Sequence, residues 1–140
     1  MTAVRPPLAP ESVLLSDRVA VVTGAARGIG RATAEALARF GADVAICDRE
    51  TTGLADTAAG IEAAGRRAHP AELDVRDRAA VDRFLTDAAD RLGPLDIVVN
   101  NAGGGFFAEF LEISAKGQAA LVDENFTSVT HVVRAAVPLM

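Results

Sequence analysis

The sequence predicts an α/β fold, a doubly wound parallel sheet with helices on both faces, and three observations carry that prediction. Nearly continuous apolar runs alternate with segments of helical periodicity, glycine closes those segments one after another, and a glycine cluster follows the first apolar run. The runs RVAVVT (18–23), DVAIC (43–47), RRAHPAELD (66–74) and LDIVVN (95–100) read as strands. The first, second and fourth are rich in valine and isoleucine, as suits central parallel strands covered on both sides. His69 and Pro70 interrupt the third, which is the least strand-like of the four. Between the runs, Ile29, Ala32, Ala36, Leu37 and Phe40 keep a helical spacing, as do Leu54, Ala58 and Ile61, and then Val81, Phe84, Leu85, Ala88 and Leu92. Each set is one apolar stripe per helix. Gly41, Gly65 and Gly93, the last followed by Pro94, end the three helices in turn. A fourth helix is expected over residues 118–136, stopping near Pro138. Its apolar positions, Leu121, Val122, Phe126, Val129, Val132, Val133 and Val137, cover more than one stripe, so it is expected to be buried on two sides or to pack against a partner. The alternation implies right-handed crossovers, and the strand order expected for the doubly wound sheet is 3-2-1-4.

Length and charge narrow the function. The chain has 140 residues, 50% of them apolar, which makes one domain with a real core, expected over 15–140 behind a flexible proline-rich leader at 1–14. A net charge of −5 with both signs interspersed leaves no polyanion-binding surface, so nucleic acid is not an expected partner. No stretch has the pattern of a signal peptide or the length of a membrane span, and a cytoplasmic protein is expected. The single cysteine, Cys47, lies in an apolar run and reads as a small buried hydrophobe. His69 and His131 fall in different elements without metal-ligand spacing, so no metal site is expected.

The stretch VVTGAARGIG (21–30) carries the first chemical signal. Its glycines follow the pattern G-x-x-x-G-x-G rather than the strict dinucleotide pattern G-x-G-x-x-G. The physical demands are similar: a tight turn leaving a strand, close approach of backbone to a pyrophosphate, and helix amides aimed at its charge. Gly24, Gly28 and Gly30 can meet them; an ordinary strand-to-helix turn is the alternative. The second strand ends in CDRE, placing Asp48 eighteen residues beyond Gly30, where a Rossmann unit carries its ribose-binding carboxylate. A carboxylate there accepts from both ribose hydroxyls and repels a 2′-phosphate, favouring NAD over NADP. Arg27 and Arg49 pull the other way, since either guanidinium could meet that phosphate.

Together with LDV (73–75) and NNAG (100–103), the loop TGAARGIG (23–30) resembles the short-chain dehydrogenase/reductase family, over the chain from about Leu15 onward. The resemblance implies a Rossmann fold and an NAD(P)-dependent oxidoreductase that moves hydride between nicotinamide and a secondary alcohol or ketone. It gives Gly24, Gly28 and Gly30 the pyrophosphate turn, Ile29 a place toward the nicotinamide, Asp48 the adenosine ribose, and Asp74 and Val75 the adenine contacts. Asn100, Ala102 and Gly103 match the turn that passes along the cofactor and braces the sheet. Taken alone, Asp74 reads as a helix-start carboxylate, and Asn100 and Asn101 as a polar turn. Asn125, inside an otherwise apolar helix, matches the asparagine of the family's catalytic tetrad; a surface asparagine is the alternative.

The rest of the family's chemistry has no match. There is no tyrosine, and the one lysine, Lys116, precedes Asn125 and reads as a solvated loop residue. Ser114 and Ser128 read as helix-start and helix-surface residues. The resemblance thus implies a chain that stops before the catalytic serine and Y-x-x-x-K segments, inactive by itself, with an oligomeric parent enzyme and an open, apolar edge on the fourth strand. A non-catalytic dinucleotide-binding or interaction fragment is the alternative. Phe106 and Phe107, in GGGFFAEF (103–110), are expected either to line a substrate surface at the mouth of the site or to pack in the core.

Overall fold

A computed structural model of the chain describes residues 13–140; the leader expected at 1–14 lies outside the described residues except for its last two. Four parallel strands form one sheet: β1 (Val19–Thr23), β2 (Asp43–Asp48), β3 (Ala68–Glu72) and β4 (Ile97–Val99). Their order is β3-β2-β1-β4, as the sequence predicts. Val21 stands in register with Ala45 on one side and Val98 on the other. The helices between them are α1 (Gly28–Arg39), α2 (Thr51–Ala63) and α3 (Arg78–Leu92).

Alternation along the strands splits the core in two, because successive side chains leave a strand on opposite faces. Val19, Val21, Ala45 and Cys47 pack with Val81, Phe84, Leu85, Ala88 and Leu92 of α3. Ala20, Val22, Val44 and Ile46 pack with Ala34 and Ala38 of α1 and with Leu54, Ala58 and Ile61 of α2. The stripes expected for α2 and α3 are therefore the buried ones. The stripe expected for α1 is not: its buried positions are Gly30, Ala34 and Ala38, while Ile29 and Phe40 are exposed. The reason is distance, since α1 lies so near the strand ends that a Cβ on Gly30 would overlap Gly24 O. Only small residues fit that face, and the larger apolar residues turn sideways.

Pro70 does not break β3 because β3 is an edge strand, paired only with β2, and a residue without an N–H is tolerated there. The entry to this edge is fixed by Asp43. Its carboxylate is buried and accepts from Arg67 N (2.9 Å) and Arg67 Nε (2.8 Å), with Arg66 Nη2 at 2.9 Å. At the other edge, Asp96 accepts from Val19 N and from Arg18, which ties the approach to β4 onto β1.

Beyond β4 the helix expected at 118–136 begins three residues earlier and has a fault in the middle. It runs as α4 (Ala115–Val122), a π-helical turn (Asp123–Thr127) and α5 (Ser128–Ala136). Ser114 caps it, accepting from Gly117 N at 3.1 Å, and Lys116 lies in the first turn of α4 rather than in a loop. Val132 and Ala136 pack against α3, whereas Val122, Phe126, Val133 and Val137 are exposed. The helix is buried on one side only, so of the two arrangements expected, burial on both sides within this chain is not the one present. Ser128 is buried, not on the surface, and its Oγ donates to Glu124 O at 2.7 Å. No helix among the described residues is long and apolar enough to cross a membrane.

Candidate cofactor-binding cleft

The carboxyl ends of the four parallel strands meet at a cleft of about 320 Å³, a volume typical of small-molecule sites. It opens where the chain passes from β1 to α1 on one side and from β1 to β4 on the other, which is where open α/β sheets hold their ligands. The glycine loop forms its floor through Gly24, Arg27, Gly28 and Ile29. Gly24 (φ +66°) and Gly28 (φ +56°) both adopt the left-handed conformation that other residues avoid. A side chain on Gly24 would also meet Ala102 Cα at 2.8 Å.

The start of α1 is open toward ligand. Arg27 at its N-cap makes no side-chain capping bond, and its first turn has no acidic residue. The starts of α2, α3 and α4 are capped: Glu50 accepts from Gly53 N, Asp77 from Ala80 N and Ser114 from Gly117 N. An uncapped helix start presents unpaired amides and the positive end of the helix dipole, a combination suited to an anion.

Asp48 faces this floor from the end of β2. Its Oδ2 accepts from Ala26 N (3.0 Å), and its Oδ1 accepts from Arg49 N (2.7 Å) and Glu50 N (3.2 Å). The carboxylate is thereby oriented by the glycine loop and the α2 entry at once. Asp74 and Val75 line the cleft after β3, and Ala102 and Gly103 after β4. Asp74 is not the helix cap: Asp77 holds that place. Asp74 accepts instead from Arg76, and those hydrogen bonds hold its carboxyl below the ordinary aspartate value against the opposing effect of burial. Arg49 reaches over the rim to Asp74 (3.8 Å) and Glu124 (3.4 Å).

Three expected residues stand outside the lining. Gly30 acts by its absence of bulk beneath the loop, as its clash with Gly24 O shows. Asn100 neither lines the cleft nor makes the bracing contacts; its neighbour Asn101 does, donating from Nδ2 to Thr23 O and Gly24 O, both at 3.0 Å. Asn125 lies in the π turn, where its side chain accepts from Gly104 N (3.2 Å) and donates to Gly104 O (2.8 Å) and Leu121 O (3.0 Å). Phe107 is fully exposed and Phe106 half exposed, so neither is a core residue. His69 stacks on Phe84 with ring centres 5.9 Å apart, and burial lowers its pKa. No group of metal-ligating residues occurs among the described residues.

Sequence reasoning passed over two residues that shape the cleft. Thr23 Oγ1 accepts from Asn101 N (3.1 Å) and Ala102 N (3.0 Å), locking the glycine loop to the β4 turn. Glu124 enters the lining from a distant helix. A polar residue ending an apolar strand was the available signal for Thr23; Glu124 had none, because its arrival depends on the π turn.

Comparison with known proteins agrees with this geometry. The sequence profile of the short chain dehydrogenase family matches residues 18–140. An uncharacterized oxidoreductase of Mycobacterium tuberculosis is 42% identical over 126 residues, covering 90% of this chain and 48% of that protein. L-2,3-butanediol dehydrogenase of Corynebacterium glutamicum is 39% identical over 122 residues, covering 86% of this chain and 47% of its own length. Among solved structures, carveol dehydrogenase from Mycobacterium avium in complex with NAD superposes with a TM-score of 0.86 at 35% identity, over 89% of this chain and 50% of that one. The chain spans about half the length of the relatives it matches. The glycine loop, the parallel sheet that carries it and the match along residues 18–140 place this chain in the short-chain dehydrogenase family.

Proposed function

We propose that the cleft binds NAD, and that the chain is the dinucleotide-binding part of an oxidoreductase acting on a secondary alcohol or the matching ketone. The observation that carries this reading is the uncapped start of α1 set opposite the fixed carboxylate of Asp48 in one cleft. Gly24, Arg27, Gly28 and the α1 amides take the pyrophosphate, with Gly30 making room beneath it. Asp48 accepts from the adenosine ribose hydroxyls, Asp74 and Val75 border the adenine, Ile29 belongs to the nicotinamide side, and the turn of Asn100, Ala102 and Gly103 passes along the cofactor, with Ala102 and Gly103 as its cleft-lining members. When bound, the dinucleotide supplies the hydride acceptor or donor. The NAD in the Mycobacterium avium structure and the alcohol named for the Corynebacterium relative support this assignment.

Asn125 is assigned the asparagine place of the catalytic tetrad. Proton transfer at the substrate oxygen is assigned to no residue of these 140, since the chain has no tyrosine and its one lysine is the exposed Lys116. The same count favours a second reading, in which the cleft binds the dinucleotide without turnover. For the whole protein we assign a homo-oligomer.

Fluorescence titration with NADH tests the binding that both readings share. Saturable binding is expected, weakened about ten- to hundredfold in Asp48→Ala by the loss of hydrogen bonds to a charged group. A folded, soluble chain that NADH does not saturate would overturn the proposal.

A further inference from the structure

The rim of the cleft holds one cation that is already engaged. Arg49 directly follows Asp48, and its guanidinium is shared between two carboxylates, with Nη1 3.8 Å from Asp74 Oδ2 and Nη2 3.4 Å from Glu124 Oε1. The partners differ in freedom. The Glu124 side chain is 22% exposed, against 60% for Arg49, so the carboxylate is the fixed member and the guanidinium the movable one. Glu124 is fixed from above by Gly104, on which a Cβ would stand 2.9 Å from the carboxylate carbon and both its oxygens. Asn125, the next residue of the π turn, bonds the backbone of the same glycine twice. Helix, loop and strand end are thus joined at one point, and Arg49 is what they hold.

The consequence concerns which dinucleotide fits. A 2′-phosphate on the adenosine ribose needs a free guanidinium or ammonium beside it. Two guanidiniums line the cleft: Arg27, at the start of α1 and assigned above to the pyrophosphate, and Arg49, which is next in sequence to the ribose carboxylate and is committed to Asp74 and Glu124. We infer that Glu124 is a positioning residue that, with Asp74, withholds Arg49 from the ribose and so keeps the cleft selective for the dinucleotide without a 2′-phosphate. This rests on the NAD-binding reading above and adds to it a residue 76 positions beyond Asp48 in the chain.

The test measures NADH and NADPH affinity side by side for the unchanged chain, Glu124→Gln, Arg49→Met and the double variant. Release of Arg49 is expected to raise the NADPH-to-NADH affinity ratio about two- to fivefold in Glu124→Gln, the range of an exposed ion pair. The double variant is expected to return to the original ratio. An unchanged ratio in Glu124→Gln overturns the inference. So does a raised ratio that persists in the double variant, because loss of negative charge alone would then explain it. Should Glu124→Gln fail to fold by circular dichroism, Glu124→Asp keeps the charge but shortens the reach, and the same rise is expected there. An unchanged chain that binds neither nucleotide overturns the NAD reading, and this inference with it; binding of NADH without the shift overturns the inference alone.

Discussion

Between Val19 and Leu95 the chain supplies most of two buried clusters, one on each face of the sheet, and Val132 and Ala136 of α5 complete the one on the α3 side. Between Gly103 and Thr127 it buries no residue, although that stretch holds Phe106, Phe107, Phe110, Leu111, Val122 and Phe126. Apolar content therefore does not separate the two regions; opposing surface does. In the first region each apolar stripe meets a strand face, whereas α4 and the loop before it meet only each other and the π turn, as where Phe106 lies against Gly117 and Asn125 bonds Gly104, and none of their residues is buried. The cleft lies on the border. Most of its lining comes from the well-packed region, and the exposed region adds Gly103 and Glu124.

The sharpest challenge to this contrast is Ile46→Ala. Ile46 is fully buried between β2 and the α1–α2 layer, and its truncation is expected to cost about 2–5 kcal/mol, read as a shifted urea midpoint. A cost near zero would mean that the first region is not the stable one. At the border, Thr23→Val removes the acceptor of two backbone amides, those of Asn101 and Ala102. A loss of about 1–3 kcal/mol is expected, together with weaker NADH binding as the glycine loop and the β4 turn separate.

Acid sharpens the comparison further, because the strand edges of the first region are held by depressed carboxyls. Burial pushes Asp43 upward, but Arg67 through its N–H and guanidinium, with the charge of Arg66, outweighs burial and leaves the carboxyl below its ordinary 3.8. Asp96 is lowered by the Val19 N–H and by Arg18. A carboxyl whose folded value lies below its unfolded value adds stability above the unfolded value and loses it as pH falls through the folded one. Unfolding midpoints are therefore expected to drop as the pH falls below 3.8, after a first, smaller decline that begins below 6.5, where protonation of His69 opposes its burial. A midpoint that rises on acidification would contradict these pairings. The smallest effect belongs to the exposed region: Phe107→Ser is expected to change stability by less than about 0.5 kcal/mol while reducing self-association in light scattering.

The same contrast sets what the sequence made legible. Strand order, the α2 and α3 stripes and the helix-closing glycines at 41, 65 and 93, all with positive φ, follow from local pattern and are present. Legibility fails where a distant segment decides. Ile29 and Phe40 looked like core on spacing alone, and only the closeness of α1 to Gly24 turns them out. Pro70 argued against a strand until its place at the sheet edge was known. The bracing role falls to Asn101 rather than Asn100 because adjacent residues at a strand end point in different directions. The π turn leaves no mark in composition, and with it went Glu124.

The chain's one thiol sits on the face of the sheet that packs against α3. Cys47 is buried near the end of β2, and burial, with the nearby Asp48 charge, pushes its pKa up to about 12. Thiolate is the species that alkylating reagents attack, so the closed sheet is silent toward them. Each labelling event then reports an opening of the sheet core, and the labelling rate with a fluorescent maleimide counts those openings under native conditions. Ligand that engages Asp48, one residue away, is expected to slow that clock.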